Sequence, residues 1–372
     1  MAETSGPTVL DDLAFLDELI GTGPQTWDVI GELPVELLRE LGAMGLLCAE
    51  VPTRFGGLGA DSRRNGELTA HIGGLCSSLR SIMTSQGIAA TAVRRFGDRA
   101  QRQRYLGELT GGTLAAVGFS EPEAGSDLAA MRTRIERAGD TVTVSGEKRW
   151  VTGARYADLL LVLGRDGENA AAVLVPSDAP GVTVEPVLDP MGCRAAGHSR
   201  VLLDEVRLPA SAVLGGGGHA LALLFTTALS YGRMSVAWGC VGILRACLRA
   251  ATAHAKVREQ SGKPLAEHQL VAKHLASLFT AEQVATQACR QASERWDAAA
   301  PDMAVAAVLA KHVGATNAAR SAGEAVQVLA SWGAQDGHVV ARAYRDAKLM
   351  EIIEGSNEIS ELILAEHALE HS

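Results

Sequence analysis

From about residue 219 the chain is a succession of long, alanine-rich helical patterns with short connections, for example LAEHQLVAKHLASLFTAEQVATQACRQASERW. Helices of that kind can bury their apolar stripes only against one another, so this zone is expected to form a bundle. The block before it, from about 114 to 217, has another texture. Short runs such as TVTVSG, ADLLLVLG, AAVLVP, VTVEPV and RVLLDEVRL read as strands. Gly139-Asp140 and Asp166-Gly167 lie at expected hairpin turns. Short strands at close intervals predict a small barrel or sandwich, not a doubly wound sheet. The run LGGGGHA closes this zone. It lacks both phosphate-loop spacings and reads as a flexible interdomain link. Residues 1 to about 113 are helical again, with Leu37, Leu38, Leu41 and Met44 spaced for one buried face. The expected class is α+β, mostly α, with domains at 1–113, 114–217 and 218–372.

A chain of 372 residues has room for two or three domains and a large core. Apolar residues make up 47% and charged residues 21%, which places it with folded proteins rather than disordered ones. A net charge of -9 argues against nucleic acid or an anionic membrane surface as a partner. The start, MAETSGPTVLDDLAFLDELI, has no positively charged region before its apolar residues and does not read as a signal peptide. HALALLFTTALSYGRMSVAWGCVGIL is interrupted by Arg233 and small polar residues, and reads as a buried bundle helix rather than a membrane span. Six cysteines without a CxxC pair suit reduced thiols in a cytoplasm and imply no zinc site. His367 and His371 are four apart but lack a third ligand, so they read as a solvated tail. His268 and His274 do not share a helix face. Arg94, Arg95, Arg99, Arg102 and Arg104 form a basic patch that is either a solvated face or a surface for an acidic carrier domain.

Chemistry is suggested in three places. IIEGSNEIS (352–360) sets Glu354 between two isoleucines and Gly355, at the junction of two helical patterns, with Ser356 placed to cap the second. The acid is either a dipole partner for that helix or a carboxylate held ready to take a proton. In GFSEPEAGSD (118–127), Ser120, Gly125 and Ser126 offer small side chains and open amides suited to a phosphate or a polar ring edge. In GEKRWVTGA (146–154), Trp150 and Thr152 would share one side of a strand, so that an aromatic face and a hydroxyl could meet a flat cofactor. Either segment alone reads more readily as a turn followed by a half-buried strand tryptophan.

Taken together with REQSGKPLAEHQ (258–269), YRDAKL (344–349), VPTRFGGLGA (51–60) and FGDRAQRQRYLGELTGGT (96–113), these motifs resemble the acyl-CoA dehydrogenase family in order and spacing. The resemblance covers nearly the whole chain. It implies a helical N-terminal domain, a middle β domain, a C-terminal four-helix bundle and FAD held between domains and subunits. Phe119, Ser120 and Ser126 match residues that contact the flavin ring and pyrophosphate, and Trp150 and Thr152 match those that cover the ring and bond N5. Arg258 and Gln260 match pyrophosphate contacts made from a neighbouring subunit, and Gln327 the adenosine end. Ser356 and Glu358 match flavin contacts just after the catalytic residue. Glu354 matches the base that removes the α-proton of a thioester while the β-carbon gives hydride to flavin N5. Burial beside Ile352 and Ile353 is expected to raise its pKa, and a backbone amide of this turn, at Gly355, to bond the thioester oxygen.

Two departures stand out. The family's glycine pair after Gln327 is replaced by Ala330 and Ser331. In LSYGR (229–233), Arg233 matches the arginine lining the thioester site, but Ser230 stands where an aspartate helps hold the pantetheine-bearing ligand. That change leaves room for an acyl carrier protein in place of CoA. It makes the chain similar to dehydrogenases of polyketide extender-unit assembly, including the methoxymalonyl branch. The reading is therefore an FAD-dependent acyl-thioester dehydrogenase acting on a short acyl-CoA or carrier-bound acyl group. Its expected partners are an electron-transferring flavoprotein and further copies of itself in a homodimer or homotetramer. The alternatives are an acyl-CoA oxidase that uses oxygen, or a non-catalytic binding protein on the same fold.

Overall fold

The computed structural model describes residues 13–127 and 130–371. Most of the N-terminal stretch read above for leader features lies outside the described residues. The first helical part contains α1 (Ala14–Ile20), α2 (Gly23–Ile30), α3 (Val35–Ala43), α4 (Ser62–Leu75), α5 (Ser77–Phe96) and α6 (Arg99–Thr110). Local chemistry sets several boundaries. The Asp61 carboxylate accepts the Arg64 N–H at 2.7 Å to start α4, and Asp98 with Gln101 forms a capping box on α6. Leu37, Leu38 and Leu41 are buried as the spacing predicts, while Met44 falls just beyond α3 and is half-buried.

The middle zone is one seven-stranded sheet built from β1 (Ala115–Gly118), β2 (Arg134–Ala138), β3 (Thr141–Val151), β4 (Leu159–Asp166), β5 (Asn169–Pro176), β6 (Val182–Pro186) and β7 (Ser199–Pro209). The order is β1-β4-β2-β3-β7-β6, with β5 on β4. The five apolar runs became β3 to β7. Two further strands were not expected, because β1 is only four residues long and β2 is mostly polar with one buried residue, Ile135. Gly139-Asp140 joins β2 to β3 as expected, whereas the β4–β5 turn is Gly167-Glu168, with Asp166 ending β4. Strand β4 is buried on both faces. Leu159, Leu161 and Leu163 pack with Val93, Phe96 and Leu106 of the helices, and Leu160 and Val162 pack with Val142, Val144 and Val173 inside the β domain. A strand with two apolar partners needs no alternation, which explains the unbroken LLLVL.

The four-glycine link is tethered rather than free. Gly215 N–H donates to Gln101 Oε1 at 2.9 Å, the Gly216 carbonyl accepts from Arg137 at 2.8 Å, and His219 pairs with Ala170 through both backbone groups.

Beyond it come α7 (Leu221–Val257), α8 (Gln269–Asp297), α9 (Met303–Leu329), α10 (Val339–Met350) and α11 (Asn357–His371), with a two-stranded hairpin at 259–264. Helix α7 is the spine of the molecule, packing against α4 and α5 as well as α8, α9 and α10. By length and composition it could cross a membrane, but most of its apolar window is buried inside the fold. Alanines such as Ala281, Ala285, Ala310, Ala318 and Ala322 let the bundle helices approach closely. The crossing of α4 and α7 is closest at Gly242, where a methyl group would collide with the Ala70 carbonyl. Backbone cannot rotate away as a side chain can. Gly242→Ala is therefore expected to cost about 3 kcal/mol in urea unfolding; a loss below about 0.5 kcal/mol would show that this crossing is not tight.

Candidate active site

The turn between α10 and α11 holds two successive residues in the left-handed region, Glu354 (φ 56°) and Gly355 (φ 91°). For a non-glycine residue that conformation costs about 1–2 kcal/mol, so its surroundings must hold it there. Arg233 Nε donates to the Glu354 carbonyl at 3.0 Å, and Lys311 Nζ donates to the Gly355 carbonyl at 2.7 Å. Asn357 N–H donates to the Glu351 carbonyl at 2.9 Å. Ser356 caps α11 as its sequence position suggested, its hydroxyl accepting the Ile359 N–H at 3.4 Å. Among the described residues no acceptor takes the N–H groups of Glu354, Gly355 or Ser356.

The Glu354 carboxylate lies on the bare backbone of α7 at Gly232, where any side chain would overlap it. The residue as a whole is half-buried, but its Oε2 is buried and has no hydrogen-bond partner among the described residues. Burial pushes its pKa up to about 7, with Arg233, Arg80 and Lys311 acting in the opposite direction. The apolar wall is only in part the expected one, since Ile353 is half-buried and packs on the bundle core. Ile352 is 55% exposed, and it is α7 that excludes water from the carboxylate. Of the three cations, Arg80 and Lys311 are themselves almost wholly buried. Arg80 donates to Thr84 Oγ1 at 3.1 Å and contacts Met350 Sδ at 3.0 Å, without a described carboxylate partner.

Sequence reasoning missed Gly232, Arg80 and Lys311. Signals existed for two of them: a glycine inside a helix interior costs about 1 kcal/mol relative to alanine and asks for a reason, and Lys311 falls on the buried stripe Ala307, Lys311, Ala315, Ala318, Ala322 of α9.

On the β-domain side, Phe119 and Ser120 follow β1 and are half-buried, while Gly125 and Ser126 are exposed, with open space beside Gly125. The loop is anchored by a buried ion pair that was also passed over. Glu121 accepts from Lys148 Nζ at 2.6 Å, from Thr133 Oγ1 at 2.5 Å and from the Arg132 N–H at 2.5 Å. Burial alone would raise the Glu121 pKa, but Lys148 and the other donors outweigh it and hold the carboxyl below its ordinary range.

Trp150 and Thr152 do not share a strand face by simple alternation. Trp150 is left-handed (φ 54°) at a register break between β3 and β7, and Thr152 lies just past the end of β3. They converge on His198 instead. Thr152 Oγ1 is 3.2 Å from His198 Nδ1, and the Trp150 ring meets the imidazole edge-on at 5.6 Å between centroids. Burial pushes the His198 pKa down to about 4, so the ring is neutral. Trp150 remains 56% exposed, with aromatic surface free to cover something flat. Helix α5 joins this region to the base: Ser85 Oγ donates to the Thr152 carbonyl at 3.0 Å, and Thr84 Oγ1 meets Ser235 Oγ of α7 at 2.7 Å.

The remaining candidates are not brought to this cluster. Arg258 and Gln260 are exposed past the end of α7, and Gln327 is exposed near the end of α9. Glu358 is exposed in the first turn of α11. Ala330, in place of a family glycine, keeps a positive φ of 52°. Ser230 is buried on α7, one turn before Arg233.

The exposed indole, the open glycine loop, the unpartnered carboxylate oxygen and the free turn amides fit a flat, polar-edged cofactor such as FAD beside an acyl thioester. The loop anchor is testable. Glu121→Gln or Lys148→Met alone is expected to cost about 3–5 kcal/mol in urea unfolding, because each strands a buried group, and the double variant Glu121→Gln/Lys148→Met to cost less than the sum. Additive losses would show that the two charges are not coupled.

Comparison with known proteins gives the family. Family models for the acyl-CoA dehydrogenase N-terminal, middle and C-terminal domains match residues 13–113, 116–206 and 222–369. The probable acyl-CoA dehydrogenase YngJ of Bacillus subtilis is 34% identical over 350 residues, covering 92% of each chain. The solved structure of FkbI, described as serving biosynthesis of the methoxymalonyl extender unit of the polyketide Fk520, is 60% identical with a TM-score of 0.92, covering 96% of this chain and 98% of that one. Butyryl-CoA dehydrogenase from Megasphaera elsdenii is 26% identical with a TM-score of 0.90, covering 99% and 100%. The chain belongs to the acyl-CoA dehydrogenase family of FAD flavoproteins, and it is a flavin-dependent acyl-thioester dehydrogenase.

Proposed function

We propose that this enzyme oxidises a short acyl unit carried as a thioester on an acyl carrier protein, with Glu354 as the base, in the supply of a methoxymalonyl-type polyketide extender unit. The observation that carries the reading is the Glu354 carboxylate, lying on Gly232 with its Oε2 buried and without a partner among the described residues, and with its pKa raised to about 7. The α-proton of a thioester is weakly acidic, so its base must be ionised at the working pH yet gain from being protonated. Burial meets the second need and the cations Arg233, Arg80 and Lys311 meet the first. The free N–H groups at 354–356 suit the thioester oxygen as negative charge develops on it.

Bound FAD supplies the hydride acceptor. Phe119, Ser120, Gly125, Ser126, Trp150, Thr152, Ser356 and Glu358 would hold it within one chain. Arg258 cannot serve the same site, because it lies 25 residues beyond Arg233 on one continuous helix, about 37 Å away at 1.5 Å per residue. With Gln260 and Gln327 it would complete the site of another copy, which supports a homodimer or homotetramer. The preference for a carrier protein rests on Ser230, which offers no carboxylate to a pantetheine-bearing ligand, and on the likeness to FkbI. An electron-transferring flavoprotein is the proposed electron acceptor.

The test is anaerobic bleaching of the flavin by propionyl-CoA, butyryl-CoA and the same acyl groups on a phosphopantetheinylated carrier protein. Carrier-bound substrates are expected to bleach at least about tenfold faster, a factor worth about 1.4 kcal/mol in the barrier; faster bleaching by the CoA esters would overturn the carrier assignment. Below the Glu354 pKa the carboxyl is protonated and cannot accept a proton, so the rate is expected to rise with pH through about 7. Glu354→Gln should keep FAD and lose at least about a thousandfold in bleaching rate. A variant within tenfold of wild type would remove Glu354 from the role of base. Rapid reoxidation of the reduced flavin by air would point to an oxidase instead.

A further inference from the structure

We infer that Lys311 is a positioning residue that locks the turn bearing Glu354 in its left-handed conformation, an inference that rests on Glu354 being the base. A lysine without exposed surface is costly unless its donors are used. Among the described residues no carboxylate pairs with Lys311. Its ammonium is directed instead at two backbone carbonyls, Gly355 O at 2.7 Å and Glu351 O at 3.5 Å. These oxygens bracket Glu354. The Glu351 carbonyl also takes the Asn357 N–H, so Lys311 ties the start of the turn to the first residue of α11. Arg233 meanwhile holds the Glu354 carbonyl itself.

The carboxylate end has no such tether. Neither Glu354 side-chain oxygen accepts a hydrogen bond from a described residue, and Oε2 is buried. The direction in which the side chain leaves the backbone is set by φ and ψ of its own residue, and the contact with Gly232 completes the placement of the carboxylate. Without Lys311, Glu354 at φ 56° would relax toward the right-handed region and carry its side chain off Gly232, whereas Gly355 adopts its φ of 91° at no steric cost. No packing need explains a lysine in the alanine stripe of α9, whereas a three-donor head on a long stem fits two converging carbonyls.

Lys311 also contributes to the field at the base. The charged groups bearing on Glu354 are Arg80 from α5, Arg233 from α7 and Lys311 from α9. Glu351, at the end of α10, is engaged by Lys348 at 2.9 Å and by Asn357 Nδ2 at 3.2 Å. Removing Lys311 takes away one cation, so Glu354 should hold its proton to higher pH.

The experiment compares wild type, Lys311→Met, Lys311→Arg and Glu354→Gln as FAD-loaded enzymes, with propionyl-CoA and propionyl carrier protein as probes. Hydrogen exchange is followed alongside. In Lys311→Met, kcat is expected to fall about 10- to 100-fold with KM changed less than about threefold, since what is lost is alignment of the base rather than binding. The pH profile should move to higher pH. Amide exchange across 351–357 should quicken at least about tenfold while α7 and α9 stay protected. Lys311→Arg, which keeps charge and donors, should recover part of kcat. Unchanged kcat and unchanged exchange at 351–357 in Lys311→Met would overturn the inference. So would exchange that quickens throughout α7 and α9 together with loss of FAD, which would mark Lys311 as a general support of the fold. If Glu354→Gln still bleaches, the assignment of the base fails instead, and exchange at 351–357 still decides whether Lys311 pins the turn.

Discussion

The carboxylate of Glu354 rests on the bare backbone of α7, and the conditions that make this contact possible organise much of the molecule. Gly232 must lack a side chain, the turn must be left-handed, and the carbonyls of 351–355 must be held from the α7 side and the α9 side. Each condition costs stability. A glycine weakens a helix interior, a positive φ strains a glutamate, and buried Arg80 and Lys311 give up solvation. The surrounding structure offsets these costs through α7, whose 37 residues are packed from several sides. The site is built onto the helix that packs against α4, α5, α8, α9 and α10.

That spine also explains how two domains of different texture act on one group. Helix α5 lies on α7 through Thr84 and Ser235 and on the β domain through Ser85 and the Thr152 carbonyl. Helix α4 crosses α7 at glycines on both sides. The β-domain loop at 118–127 is held by the buried Glu121–Lys148 pair, so the half of the site suited to a flavin is fixed independently of the half that carries the base. A rigid join through a short helix segment is what lets an exposed indole and a buried carboxylate keep a constant relation.

Much of this was legible in the sequence. The three textures followed from periodicity, and the family followed from several weak motifs in register. Strands β3 to β7 were visible because apolar runs between turn pairs have few other solutions, whereas β1 and β2 were hidden by their brevity and charge. The candidate base, its glycine and the cap at Ser356 could be read from composition at a helix junction. What could not be read depends on contacts distant in the chain: Gly232 under a residue more than a hundred positions away, Lys148 under Glu121, and His198 between Trp150 and Thr152. The alternation argument for Trp150 and Thr152 failed for a local reason, since a register break turns the tryptophan out of the pleat. The source of burial at Glu354 was misjudged in part for a tertiary one, because Ile352 faces outward while α7 supplies the wall.

The central claim is that the protonation of the Glu354 carboxyl is set by desolvation against three nearby cations, Arg233, Arg80 and Lys311. The most direct measurement is the pH-dependent infrared difference spectrum of wild type, with that of Glu354→Gln subtracted so that one carboxyl remains. A protonated carboxyl band that disappears near pH 7 is the expected result. A band that titrates near the ordinary glutamate value of 4.5 would mean that the carboxylate is solvated, and the account of the site would be wrong.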